Sequence, residues 1–217
     1  MLEYILQGQA MMIPLMICSV LAIGVVLDRA WAFYQYRRTD TRSLRSQVLR
    51  LLEQGDLTAA AHLCSATPGP VSAVLLSGLQ SYGKHKPRTT KPDSLMSIMK
   101  ETMLDYSDHA LAAVEKRFSV LRTISMAAPL MGMTGTVTGM ISAFEGMAEA
   151  GVSNEAVSSG IAEALITTAA GLIIALIALI PHNYFVAAAD TIELEINETT
   201  TELLDFVTTR VDSEQAA

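Results

Sequence analysis

Gly160-Ile161-Ala162-Glu163-Ala164-Leu165-Ile166-Thr167-Thr168-Ala169-Ala170-Gly171-Leu172 sets one carboxylate among apolar and small residues. Glu163 is the only formally charged side chain in the 34 residues between Glu155 and Asp190. An ionised carboxylate near a bilayer centre costs roughly 2.5–3.5 kcal/mol to insert, so such a group faces protein or water and marks a proton or ion path. On a helix, Glu163, Thr167, Ala170 and Gly171 fall on or near one face. That face offers a titratable group, a hydroxyl and room, the requirements of a narrow wet passage. The plainer alternative is a glutamate just outside the membrane, capping the span. Thr168 lies well round the helix from Glu163, so both line one cavity only if neighbouring subunits present different faces to it.

Outward from this segment, three runs carry no formal charge: Tyr4–Leu27, Thr123–Phe144 and Ala164–Ala189. Each supplies the ~20 residues that cross a hydrocarbon core of ~30 Å. Backbone polar groups must be satisfied internally at that depth, so the runs are expected to be helices of an all-α membrane protein. Glu3 and the absence of Lys or Arg ahead of the first run argue against a cleaved signal, although Ala30-Trp31-Ala32 imitates a cleavage site. The expected divisions are residues 1–27 as N-terminus and first span, 28–122 as a cytoplasmic helical region, 123–144 as the second span, 145–162 as a periplasmic connection, 163–189 as the third span and 190–217 as an acidic tail.

Basic residues set the orientation. Of the fifteen Lys and Arg, fourteen lie between Arg29 and Arg122 and the other is Arg210. Positive charge is retained in the cytoplasm, so the N-terminus is expected outside and the C-terminus inside. The formal net charge of −7 conceals this asymmetry. Residues 28–122 carry fourteen basic and nine acidic groups, and residues 190–217 carry one and eight. Such a tail suits pairing with the basic region of its own or a neighbouring subunit, or plain solvation, better than contact with anionic lipid.

Between the spans, the first helix meets no Gly or Pro after Asp28-Arg29 and is expected to continue through Leu52. Gly55-Asp56 should break it, with Asp56 capping Leu57–Ser65. A helix over Val71–Ser81 and a mobile loop over Gly83–Pro92 follow. From Ser94 an apolar stripe through Met99, Met103, Tyr106, Ala110, Ala113, Val114, Phe118 and Leu121 leads into the second span without a breaker before Pro129. The third helix is expected to start near Ser153 or Asn154 and to pass Pro181 to about Thr209, with a stripe at Ile192, Leu194, Ile196, Leu203, Leu204 and Val207. The second and third spans are thus expected to reach far into the cytoplasm. Either an oligomer or intramolecular packing covers these stripes.

The second span reads Ala128-Pro129-Leu130-Met131-Gly132-Met133-Thr134-Gly135-Thr136-Val137-Thr138-Gly139-Met140-Ile141. Gly132, Gly135 and Gly139 share a face on which another backbone can approach closely, and Gly171 gives the third span similar room. Pro129 removes one backbone hydrogen bond and permits a kink. Thr134, Thr136 and Thr138 are hydroxyls at lipid depth, which either line a path or bond back to the preceding turn. The cysteines, Cys18 and Cys64, and the four histidines show no ligand spacing, so no metal and no cofactor are expected. No phosphate loop or nucleophile motif is present, and Glu163 has no second catalytic group at a suitable spacing, so the chain does not read as an enzyme.

These segments resemble the paired membrane motifs of the ExbB/TolQ/MotA proton-channel family, Ala128–Phe144 the second-span pattern and Gly160–Pro181 the third. Gln9–Trp31, with Pro14-Leu15, Cys18-Ser19-Val20-Leu21 and Asp28-Arg29-Ala30-Trp31, and Gly55-Asp56-Leu57 with the Ala-rich helix after it, are similar to the ExbB branch. Two features depart from it: His182-Asn183-Tyr184-Phe185 after Ile180-Pro181, and Thr138 where many relatives carry a bulkier residue. The resemblance implies a subunit of the bacterial inner membrane that forms a pentameric helical ring around the single spans of an ExbD-like partner. Proton flow there drives a TonB-like protein that serves outer-membrane uptake of scarce nutrients such as iron chelates. By the same resemblance, Glu163, Thr168 and Thr136 take the places of the family's glutamate and two threonines; Thr167 is expected on the proton pathway from its place on the helix face of Glu163. Membrane lipid is an expected partner and nucleic acid is not. A TolQ-like role in envelope integrity, or a non-conducting scaffold for a single-span partner, are the competing functions.

Overall fold

The computed structural model describes residues 11–85, 92–150 and 154–216. Among them are seven helices and no strand: α1 Met12–Arg37, α2 Thr41–Glu53, α3 Leu57–Ala66, α4 Pro70–His85, α5 Pro92–Val114, α6 Phe118–Ala150 and α7 Asn154–Ala216. Three are long and apolar enough to cross a membrane, within Met12–Arg37, Phe118–Ala148 and Ser158–Arg210. Pro129 and Pro181 lie inside α6 and α7 without ending either helix.

Two helix ends correct the expectations from sequence. The first helix stops at Arg37 instead of running to Leu52. Asp40 then caps α2, its carboxylate accepting from the backbone N–H of Arg42 at 3.1 Å and of Ser43 at 3.3 Å. A cap side chain that satisfies otherwise orphaned donors stabilises a new helix start by about 0.5–2 kcal/mol. The stripe from Ser94 is also interrupted, at Glu115-Lys116-Arg117. Arg117 adopts φ 72°, a left-handed conformation that a side chain disfavours. The Asp28 carboxylate compensates, accepting from Arg117 Nη1 at 2.8 Å and from Arg29 at 2.7 and 2.9 Å.

Other boundaries follow the sequence more closely. Asp56 caps α3 through the N–H of Ala59, and Gly55 takes φ 81°, where a Cβ would be strained. Hydrogen bonds from Ala59 and Thr58 hold the Asp56 carboxyl below its ordinary range. The cap is therefore strongest above that range and weakens as acid protonates it. Gly83 through His85 belong to α4 rather than to a loop, Pro92 opens α5, and residues 86–91 lie outside the described residues. α7 begins at Asn154 and passes Thr209 to Ala216, whereas Ser153 lies outside the described residues.

The chain divides into two compact units. One contains the described residues up to Ala30 with Arg117–Phe185, and the other contains Trp31–Lys116 with the residues from Val186 on. The first is thin and apolar outside: Val20, Leu130, Met133, Leu165 and Ile173 are all exposed, as suits side chains that meet lipid or neighbouring helices. The second has a continuous core of Val48, Leu75, Leu79, Met99, Met103, Ile196 and Leu203 with their neighbours, drawn from α2, α4, α5 and α7. Tyr106 and Ala113 from the α5 stripe and Leu194 from the α7 stripe are exposed instead. The acidic end of α7 pairs within this unit, Glu202 at 2.9 Å and Glu198 at 3.3 Å from Arg45.

Met103 is fully buried and lies so close to Gly78 that a Cβ there would be 2.6 Å from its sulfur. Met103→Ala should therefore lower unfolding stability by about 2–5 kcal/mol, the range for large-to-small core changes, as read by denaturant titration of the solubilised protein. A loss within measurement error would contradict this core.

Candidate functional site: the α6/α7 contact around Glu163

In the first unit, α6 and α7 meet along a seam of small residues. A Cβ on Gly171 would stand 2.6 Å from the carbonyl oxygen of Ala128 and 3.1 Å from the Cα of Gly132. One on Gly132 would be 3.1 Å from the Cα of Thr168, and one on Gly135 would be 2.5 Å from Cγ2 of Thr167. Further along, Gly160 sits against Ala143, with the Gly139 carbonyl beyond. Residue numbers rise on α6 as they fall on α7, so the helices run antiparallel. Contact at backbone distance requires that one of the two partners lack a side chain, which is why glycine recurs along the face. Pro129 is half-buried between Ala128 and the first of these glycines.

The hydroxyls divide into two kinds. Thr136 donates to the carbonyl of Met133 at 2.6 Å, Thr134 to Leu130 at 2.8 Å and Thr138 to Thr134 at 3.0 Å, all within α6. Thr167, 2% exposed, donates to the backbone carbonyl of Glu163 at 3.1 Å. These protons are engaged by the preceding turn, the usual arrangement for a hydroxyl in an apolar helix. Thr168 differs: its hydroxyl crosses the seam and donates to the carbonyl of Gly132 at 2.8 Å. Such interhelical bonds contribute about 0.6 kcal/mol on average in a membrane, up to about 1.7. The bond also fixes the rotation of α7 against α6.

Glu163 is half-buried on α7, one turn before Thr167. A threonine oxygen that has donated its proton retains lone pairs that accept from water. The seam therefore brings Thr167 and Thr168 of α7 onto Gly132 and Gly135 of α6, with Glu163 one turn away from Thr167 on α7. Thr168, Thr167, Gly132, Gly135 and Gly171 come together at one contact, while Thr136 lies on α6 with its hydroxyl turned to its own helix. The packing of Gly160 on Ala143 was not singled out from sequence. Its signal was present, since Gly160 and Gly171 are eleven residues apart, close to three helical turns, and share a face.

Residues 66–198 match the model of the MotA/TolQ/ExbB proton channel family, a region that contains every residue of this site. The chain is 30% identical over 214 residues to an ExbB-like biopolymer transport protein of Synechocystis sp., covering 91% of this chain and 80% of that one. It is 27% identical to the biopolymer transport protein ExbB of Pseudomonas putida, covering 95% of this chain but 62% of that protein. It is also 27% identical to the Tol-Pal system protein TolQ of Pseudomonas aeruginosa, covering 84% and 79% respectively.

The seam makes a paired prediction. Gly171→Ala forces a methyl against the Ala128 carbonyl and should destabilise the protein by about 1–3 kcal/mol, the usual cost of overpacking. Gly24→Ala, where nothing lies within 4 Å, should leave stability unchanged or raise it by about 0.5–1 kcal/mol. Equal thermal shifts for the two variants would show that the seam is not closely packed.

Proposed function

Because the chain belongs to the MotA/TolQ/ExbB proton channel family, we propose that it is an ExbB-type proton-channel subunit of the bacterial inner membrane and that Glu163 takes up and releases the proton. The observation that carries this reading is the half-buried carboxylate of Glu163 beside the α6/α7 seam, alone in charge over 34 residues of helix. Oxygens of Thr136, Thr167 and Thr168 hold water along its path, while Pro129, Gly132, Gly135, Gly139 and Gly171 set the helix spacing. Five copies surround the spans of an ExbD-like partner, and a TonB-like protein carries the resulting movement to outer-membrane uptake of nutrients such as iron chelates. The match to TolQ supports a second reading, envelope maintenance with a TolR-like partner. The single-span protein that co-purifies with the chain decides between them.

Glu163→Gln keeps size and hydrogen bonding but cannot titrate. It should abolish uptake driven by the proton motive force while the complex remains assembled at normal abundance, and Glu163→Asp should retain part of it. Wild-type uptake by Glu163→Gln would leave only the non-conducting scaffold. The proposed topology has its own check. In a background lacking Cys18 and Cys64, Gly146→Cys should react with an impermeant maleimide added outside spheroplasts, and Gln54→Cys should not. Both positions are exposed in the structure. Labelling of Gln54→Cys alone would reverse the orientation.

A further inference from the structure

The second unit opens on the last turns of α1, which carry aromatic side chains on two faces. Phe33 is buried, 5% exposed, whereas Trp31 and Tyr34 stand outward at 66% and 54%. Arg38, just past the end of α1, is exposed as well. Its side chain turns back towards Trp31: Nη2 donates to the Tyr34 hydroxyl at 2.8 Å, and Cζ lies 4.7 Å from the centre of the Tyr34 ring. That bond occupies one of the guanidinium's several donors, and no described acidic side chain pairs with Arg38. Asp40, the nearest acid in sequence, is engaged in capping α2.

We propose that Trp31, Tyr34 and Arg38 bind an anionic phospholipid of the adjoining leaflet, with its phosphate at the guanidinium and its upper acyl chains against the indole. The uncharged run Tyr4–Leu27 ends just before these residues, so they stand where a span leaves the hydrocarbon, the level at which Trp and Tyr rings settle. A helix rises about 1.5 Å per residue, so Tyr34 lies about 4.5 Å beyond Trp31. The guanidinium over its ring therefore falls within the headgroup layer, which is about 5–7 Å deep on each side. Arginine holds phosphate oxygens through parallel N–H donors. A headgroup of net negative charge complements this cation, whereas a choline headgroup would set a second cation beside it. The inference requires that the chain span a membrane and is independent of whether Glu163 conducts.

Trp31 is the only tryptophan in the chain, so its fluorescence reports on this face alone. The full-length protein in phosphatidylcholine vesicles with a minor fraction of phosphatidylglycerol tests the proposal, bromine being carried on the acyl chains of one lipid or the other. Quenching of Trp31 should show phosphatidylglycerol enriched about fivefold over its bulk fraction, the effect of one cation at an anionic surface. Arg38→Gln should bring the enrichment below about twofold. Arg50→Gln, at an exposed arginine in the last turn of α2, should leave it unchanged. No enrichment with the wild-type chain overturns the proposal, as does an Arg38→Gln protein that keeps the preference or an Arg50→Gln protein that loses it equally. Quenching by neither lipid would show that protein covers Trp31, and overturns the proposal too.

Discussion

The backbone-to-backbone approach of α6 and α7 is the constraint on which the first unit rests. Gly171 admits the Ala128 carbonyl, Gly132 admits the Cα of Thr168, and the Thr168 hydroxyl closes on the carbonyl of Gly132 at 2.8 Å. Water supplies no hydrophobic force between helices inside a bilayer, so van der Waals contact and interhelical hydrogen bonds must hold them together. Small residues make both possible. A helix held this closely has little freedom to rotate, so the position of Glu163 is determined by glycines up to two turns away.

The same arrangement gives the apolar residues their division of labour. Small residues turn inward to the seam, while Leu130, Met133, Leu165 and Ile173 turn outward. The second unit is stabilised differently, by a buried core of Leu, Val, Ile and Met with exposed ion pairs such as Arg45 with Glu202 around it. Exposed pairs contribute about 0–1 kcal/mol each, so burial carries that unit. The chain therefore applies two rules of stability in sequence-interleaved units, one suited to lipid and one to water.

Much of this was legible in the sequence because it depends on periodicity and composition. Charge-free runs marked the three long helices, Gly55-Asp56 marked a turn, and glycines spaced three and four apart marked the face of α6 that meets α7. What escaped depends on single contacts between distant residues. The end of α1 at Arg37 is set by the Asp40 cap, in a segment with no Gly or Pro to announce it. The break before α6 places a non-glycine residue at positive φ, which propensity argues against, and its compensation comes from Asp28, nearly ninety positions away in the chain. Likewise, Thr168 and Thr136 look alike in sequence, and only the approach of a second helix distinguishes the cross-helix donor from the hydroxyl turned on its own backbone.

Proton flux through the purified complex with its single-span partner shows directly whether Glu163 conducts. It would be read by a pH-sensitive dye inside liposomes under an imposed potassium diffusion potential. With the wild-type chain the dye should acidify in a manner that depends on the potential, and with Glu163→Gln acidification should fall to the level of protein-free liposomes. Undiminished flux through a fully assembled Glu163→Gln complex would contradict conduction by Glu163.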